Sequence, residues 1–146
     1  MGDHFPGGRF VDHHWLRVYD DEAGRQVVAH DVLGGVFARH DAEMRYFAPD
    51  SLEWEDLEIG YDAWLSWLAG GGTAQFYADL RWPGWEAETR VLGPSQGIAV
   101  YPFLWSAEAR ADLAATTRRP VPLAEILALH SEFCTQLGLP DPGFLG

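Results

Sequence analysis

The chain has 146 residues, a formal net charge of −12 and a hydrophobic content of 47%. A chain of this length buries one core of ordinary size, so we predict a single domain over residues 1–146. The negative charge disfavours nucleic acid and suits a basic protein partner. No apolar run reaches the roughly 18 residues that span a membrane, and no basic start precedes one, so we expect a cytoplasmic protein without a membrane partner. Its single cysteine, Cys134, leaves no intramolecular disulfide.

The residue pattern in the first third of the chain predicts an antiparallel meander. Alternation of period two from Gly8 to Tyr19 predicts one strand. The run from Arg25 to His40 carries Gly34-Gly35 between two β-prone halves, which predicts a hairpin. A further strand, MRYFA at 44–48, ends before a proline.

The pattern then changes to a helical period. Tyr61, Trp64, Leu65 and Leu68 form one stripe, with Asp62 placed to cap the first turn and Gly70 to Gly72 ending the helix. A short helix over 73–80 and a turn over 81–86 follow.

The last third predicts one strand and a long final helix. Ile98–Phe103 is a strand candidate that Pro102 confines to an edge or ends. Residues 106–122 combine Ala-rich helical character with an exposed connection, TTRRPVP. The final helix begins near Leu123 and closes at Gly138. The sum predicts an α+β fold, with helices against one mainly antiparallel sheet.

Six histidines raise the question of a metal site, above all at Asp12, His13 and His14, with Asp3 and His4 upstream. Neighbouring residues of a strand point to opposite faces, so His13 and His14 are not expected to share an ion. We predict no metal and no other cofactor.

Three histidine pairs invite a catalytic interpretation. His30-Asp31 and His40-Asp41 flank the predicted hairpin, where a carboxylate can orient an imidazole for acid–base chemistry. No nucleophile motif accompanies them, so solvated turn positions are favoured. His130 and Cys134 lie one helical turn apart, as in a thiolate pair, but both fall on the apolar stripe, which favours the core. We therefore predict no catalytic residue and a protein that is not an enzyme.

The most distinctive segment runs from Asp41 to Asp62 and holds eight acidic residues against one arginine, Arg45. Its spacing matches neither a calcium loop nor a HExxH helix. We predict a partner-binding surface here, with Trp54 as an aromatic anchor among the acids. The predicted surface residues are Asp50, Glu53, Trp54, Glu55, Asp56 and Glu58.

Two alternatives remain open at this stage. One is a small-molecule binder or hydrolase with an aromatic-lined pocket between sheet and helices, formed by Trp82, Trp85, Tyr101 and Trp105. The other is an acidic globular domain whose acids only keep it in solution. The glycine runs lack the lysine or the GxGxxG spacing of phosphate loops, so a nucleotide site is not predicted.

Six motifs between about Gly8 and Leu137 carry a family resemblance: VDHHWLR, HDVLGGVFA, YFAPDSLEWEDLEIGY, WLSWL, FYADLRWPGWE and YPFLW. Together they resemble the uncharacterised bacterial family known as domain of unknown function 2625. Members of that family carry a further N-terminal helical segment and a longer connection after the first strand. The resemblance therefore implies a shortened member.

A looser pattern, HDVLGGVFA, RYFA and YDAWLSWL, resembles the SUKH superfamily. That superfamily is α+β and includes immunity proteins that neutralise bacterial toxins, many of them nucleases. The resemblance implies a turn role for Gly34 and Gly35 and a core role for Trp64, Leu65 and Leu68. The resemblance implies no residue that contacts a partner. An acidic inhibitor of a basic toxin gains association rate by electrostatic steering, which agrees with the charge of this chain.

Overall fold

A seven-stranded antiparallel sheet in strict chain order carries the fold of the computed structural model, which describes residues 3–22 and 24–143. Each strand pairs with the next one along the chain, as tight turns between alternating segments dictate. The strands are β1 (His4–Phe5), β2 (Gly8–Val11), β3 (Leu16–Tyr19), β4 (Val27–Asp31), β5 (Val36–His40), β6 (Glu43–Ala48) and β7 (Glu53–Asp56). The predicted α+β class and the predicted meander are confirmed.

The second half adds short helices, a two-stranded sheet and one long helix. The helices are α1 (Tyr61–Ala69), α2 (Thr73–Phe76), α3 (Trp85–Thr89), α4 (Ala107–Ala111) and α5 (Leu123–Gln136), with 3-10 turns at Ala78–Leu80 and Leu113–Ala115. The two-stranded antiparallel sheet consists of β8 (Gln96–Tyr101) and β9 (Thr117–Pro122). The stripe predictions for α1 and α5 are confirmed, since Trp64, Leu68, Ile126 and Cys134 are buried.

Hydrophobic residues cover both faces of the large sheet. Successive side chains of a strand point to opposite faces, so consecutive apolar residues supply both of them. On one face Phe37 lies 5.1 Å from Trp64 of α1, measured between ring centroids. On the other face Val36 and Phe47 form a second cluster with Cys134 of α5. The chain therefore buries apolar side chains on both sides of the central strands β4 to β6.

The single strand predicted over Gly8–Tyr19 is wrong, because a hairpin occupies this segment. Asp12, His13 and His14 adopt left-handed backbone angles, with φ of 60°, 56° and 67°. This region is costly for residues other than glycine. Tertiary contacts hold the turn there, and they were not visible in the alternation pattern.

Two of those contacts reach the turn from α2 and from the loop after it. The Asp12 carboxylate accepts hydrogen bonds from the Thr73 hydroxyl and from the Arg81 guanidinium, the latter at 2.8 Å. Hydrogen bonding to both partners and the charge of Arg81 lower the pKa of Asp12 against the opposing effect of its partial burial. The Asp12 carboxylate therefore connects the β2–β3 turn to α2 and to the loop that carries Arg81.

Three further boundaries differ from the predictions. TTRRPVP is largely exposed as predicted, but it is a strand rather than a connection, since it contains β9, which pairs along its whole length with β8. In a two-stranded sheet both strands are edges, so Pro120 and Pro122 are tolerated. Residues 73–80 form α2 and a separate 3-10 turn rather than one helix. Gly60, not Asp62, occupies the N-cap position of α1, and Asp62 lies within the first turn.

Candidate functional site

The predicted acidic surface lies along one edge of the large sheet. β7 is the last strand, and no other strand of the described residues pairs with its outer side. The acids of this strand and its flanks are exposed, except for half-buried Asp50. We call Asp50, Glu53, Glu55, Asp56 and Glu58 the acidic edge. The sequence did not predict a strand here, because EWED lacks the β-branched residues typical of strands.

The acids of this edge point to both sides of the sheet. Glu53 and Glu55 lie on the same face as their register neighbours Ala48 and Tyr46, whereas Asp56 lies on the opposite face. Partial burial raises the pKa of Glu55, and the negative charge of Asp50 adds to this rise. The acidic edge is thus a rim of repelling carboxylates rather than one flat patch.

Trp54, the predicted anchor, is half-buried within the chain. Its indole N–H donates to the carbonyl of Pro142 at 3.0 Å, and its ring meets Phe47 edge-on at 5.5 Å. The Arg45 guanidinium lies 4.1 Å from the ring centroid. A cation stacked on Trp54 therefore lies beside the carboxylates of the acidic edge.

The four aromatic residues predicted to line one pocket do not come together. Trp82 is 1% exposed, and its indole N–H donates to Glu88 at 2.7 Å. Trp85 packs against Trp15 at 5.4 Å between ring centroids. Only Tyr101 and Trp105 line a common cavity.

That cavity, which we call the aromatic pocket, lies between the β8–β9 sheet, α5 and the segment 103–105 and has a volume of about 430 Å³. Its lining residues come from these elements and from the β4–β5 turn. They include Leu33, Tyr101, Phe103, Trp105, Arg119 and His130. The sequence located two of its aromatic residues but assigned them the wrong neighbours, since Trp82 and Trp85 belong to the main core.

Asp31, which the sequence predicted to be a solvated turn residue, is a fully buried ionisable group. That prediction is wrong, because Asp31 is 0% exposed. Its Oδ1 accepts from the backbone N–H of Leu33 and Gly35 at 2.9 and 2.8 Å. Its Oδ2 accepts from the hydroxyls of Tyr46 and Tyr77 at 2.6 and 3.0 Å.

This network explains the HDVLGG motif. Burial raises the pKa of Asp31, while the four hydrogen bonds oppose that rise. Because both carboxylate oxygens are fully occupied, the group fixes the β4–β5 turn and has no free lone pair facing a substrate. An aspartate three residues before a glycine pair was the available signal, since Asp bonds the backbone of such turns.

The neighbouring histidine, His30, is held on the opposite face of β4. Its Nδ1 lies 2.6 Å from the Tyr19 hydroxyl. Burial lowers its pKa to about 4, and the charges of Arg17 and Arg25 add to this effect. His30 is therefore neutral near pH 7. The second pair behaves as predicted, since the side chains of His40 and Asp41 are 60% and 94% exposed.

The other histidine predictions concern metal and thiol chemistry. His14 Nδ1 lies 2.9 Å from the carbonyl of Leu92, whereas His13 lies near Arg90. Within residues 3–22 and 24–143 no three His, Cys, Asp or Glu side chains form a metal-binding group. The core placement of His130 and Cys134 is confirmed at 3% and 0% exposure, and burial raises the pKa of the Cys134 thiol.

No helix among the described residues is both long and apolar enough to cross a bilayer.

Comparisons with known proteins identify one family of unknown function and relatives that are themselves uncharacterised. A family model described as "Protein of unknown function DUF2625" matches residues 19–126. The "Putative uncharacterized protein YbfG" of Escherichia coli (strain K12) is 37% identical over 108 residues, which cover 68% of this chain and 47% of that protein. An "Uncharacterized protein" of Haemophilus influenzae (strain ATCC 51907 / DSM 11121 / KW20 / Rd) is 29% identical over 85 residues, covering 53% of this chain and 37% of that one.

The chain thus spans about half the length, or less, of these curated relatives. The matched region contains the Asp31 network and the acidic edge, whereas His130 lies beyond its end. No solved structure matches the chain.

Proposed function

This chain belongs to the DUF2625 family of proteins of unknown function, and on that premise we propose that it is a non-catalytic cytoplasmic protein that binds a basic protein partner, of the toxin-immunity type. The observation that carries the proposal is the acidic edge, where three carboxylates lie on an outermost strand with an open side and two more flank it. The length of the curated relatives leaves room for activities outside this chain, so the proposal concerns this chain alone.

The edge offers two kinds of attraction to a partner. An open strand edge presents unpaired backbone groups that accept an added strand. The carboxylates select the charge of that strand, because a positive segment gains Coulomb energy and an acidic one is repelled. A second copy of this chain is a poor occupant, since its own edge carries the same charge.

Long-range charge favours the same partner class. The net charge of −12 steers a basic protein toward the chain before contact. Toxins that act on nucleic acid are basic because they hold phosphates. The distant SUKH-like resemblance of HDVLGGVFA, RYFA and YDAWLSWL agrees with an immunity role and supplies the partner class.

The proposal is tested by capture from the extract of the source cell with two matched baits. The first bait neutralises the acidic edge with Glu53→Gln, Glu55→Gln, Asp56→Asn and Glu58→Gln, all at exposed positions. The second removes the same charge elsewhere with Glu108→Gln, Asp112→Asn, Glu125→Gln and Glu132→Gln, also exposed. The unmodified chain and the second bait should retain a basic protein that salt releases, and the first bait should lose it.

Association kinetics of the purified chain and its captured partner then test the role of charge. We expect the association rate of the edge variant to fall about tenfold or more at low salt and to lose most of its salt dependence. The immunity role further requires that the captured protein arrest growth when expressed alone and that this chain relieve the arrest. Equal retention by both baits removes the acidic edge as the docking surface. Retention of a partner without toxicity removes the immunity role but leaves the binding role.

A further inference from the structure

The aromatic pocket has the size and the walls of a small-molecule site. Its volume of about 430 Å³ falls within the range of ligand pockets, roughly 300–1,000 Å³. β8 and β9 form one wall, α5 supplies Leu129 and His130, and the 103–105 segment closes the side. The cavity shares no residue with the acidic edge.

Aromatic side chains supply part of the wall of this pocket. Phe103 and Trp105 stack at 4.8 Å with an interplanar angle of 9°. Tyr101 meets Phe103 edge-on at 5.5 Å, yet Tyr101 is 65% exposed. A large aromatic side chain left in water beside a cavity gains from a ligand that covers it.

A cation, Arg119, lies at the same cavity. Arg119 is exposed on β9, opposite Ala99 in the register. Among the described residues it has no carboxylate within 4.0 Å, although the chain carries 22 acidic side chains. A planar guanidinium in this position matches the geometry of a carboxylate.

The pocket wall also contains a buried imidazole. His130 is 3% exposed, and its Nδ1 is sealed from solvent beside the backbone of Gly34. Burial lowers the pKa of His130 to about 4, against the opposing effect of the Gly34 backbone, so the ring is neutral near pH 7. A neutral imidazole adds no charge at the cavity, so Arg119 is the group that selects an anion.

We propose that the aromatic pocket binds a small aromatic carboxylate, with its ring against Tyr101 and Trp105 and its carboxylate paired with Arg119. The pocket shares no residue with the acidic edge, so binding here is tested separately from partner docking there.

Three matched probes test the proposal on the full chain by two-dimensional NMR titration. Naphthalene-2-carboxylate has the ring and the charge, naphthalene-2-carboxamide keeps the ring without the charge, and decahydronaphthalene-2-carboxylate keeps the charge without aromaticity. We expect saturable shifts at Thr117, Arg119 and Leu129 with the first probe and an affinity at least about tenfold lower for the other two.

Two arginine variants distinguish binding at the aromatic pocket from non-specific electrostatic attraction of the carboxylate. Arg119→Gln should lower the affinity for naphthalene-2-carboxylate about tenfold and leave the affinity for the carboxamide unchanged. Arg9→Gln, at an exposed strand position elsewhere, should change neither affinity. The proposal is overturned if no probe gives saturable shifts at the pocket, if the three probes bind equally, or if the two variants behave alike. Because Arg119 is exposed, the folded spectrum should persist in the variant.

Discussion

Gly35 lies directly against the Asp31 carboxylate, so that a Cβ at position 35 would overlap both Asp31 Oδ2 and the Tyr46 hydroxyl. Gly35 has no positive φ, and its requirement for glycine is therefore one of space alone. The close approach allows its own N–H to reach Asp31 Oδ1. The second glycine of the HDVLGG motif is thus explained by the buried acid four residues before it.

Gly35→Ala should lower the free energy of unfolding by about 1–3 kcal/mol, because the added methyl group displaces a buried hydrogen-bond network. The matched control is Gly93→Ala, which also lacks a positive φ and whose Cβ would lie 3.6 Å from Gln96 Oε1. Urea denaturation of both variants measures the difference. Equal stability would mean that the β4–β5 turn relaxes without cost.

Tyr46→Phe should destabilise the protein by about 1–3 kcal/mol, because it removes a donor from a fully buried carboxylate. Tyr77→Phe should cost less, since its hydroxyl lies at 3.0 Å rather than 2.6 Å from Asp31 Oδ2. Tyr101→Phe, at a residue that is 65% exposed, serves as the control and should change stability by about 0.5 kcal/mol or less. The same order should appear in thermal and urea unfolding. A Tyr46 variant as stable as the control would argue against the network.

His30 should make the protein less stable as the pH falls from 6.5 toward 4. Its pKa is lowered from 6.5 to about 4 in the folded chain, so the unfolded chain binds a proton that the folded chain excludes. The stability associated with the neutral ring is fully present above pH 6.5 and decreases as the pH falls through this window. The largest loss is about 3 kcal/mol.

The measurement is the difference in unfolding free energy between the unmodified chain and His30→Gln at several pH values. Subtraction removes the titration of groups that both proteins share, including Asp31. As the pH falls, the unmodified chain should lose more unfolding free energy than the His30→Gln variant does. A pH-independent difference for His30→Gln would mean that the ring is protonated within the fold.

Glu53→Thr combined with Glu55→Thr should increase self-association, because it removes like charges from an open strand edge and inserts strand-forming residues. Sedimentation velocity over a range of protein concentrations measures the effect. Glu108→Thr with Glu132→Thr removes the same charge from exposed helical positions and should leave the distribution unchanged. A monomer–oligomer distribution that does not differ between the pairs would show that these acids do not protect the edge.

Local patterns were sufficient where a segment interacts with its own neighbours. The β4–β5 hairpin follows from two β-prone runs around a glycine pair. The stripe of α5 places Ile126 and Cys134 on one side, and this side is buried in the structure. These features depend on residue spacing of a few positions, which the sequence displays directly.

Local patterns were misleading where distant residues decide the conformation. The alternation over 8–19 hides a turn that Thr73 and Arg81 hold through Asp12. Asp31 looks like a solvated turn residue, but two tyrosines from β6 and the 3-10 region enclose it. β9 becomes a strand only because β8 lies beside it.

The sequence by itself therefore determined the α+β class, the order of the meander, the two main amphipathic helices and the acidic character of the segment that became β7. Only the tertiary structure decided that these acids lie on an open edge, that Trp82 and Trp85 belong to the core, and that Arg119 and His130 share a cavity. The reason is physical: periodicity records which face of an element is apolar, whereas burial, hydrogen bonding and cavities depend on which distant segments that face meets.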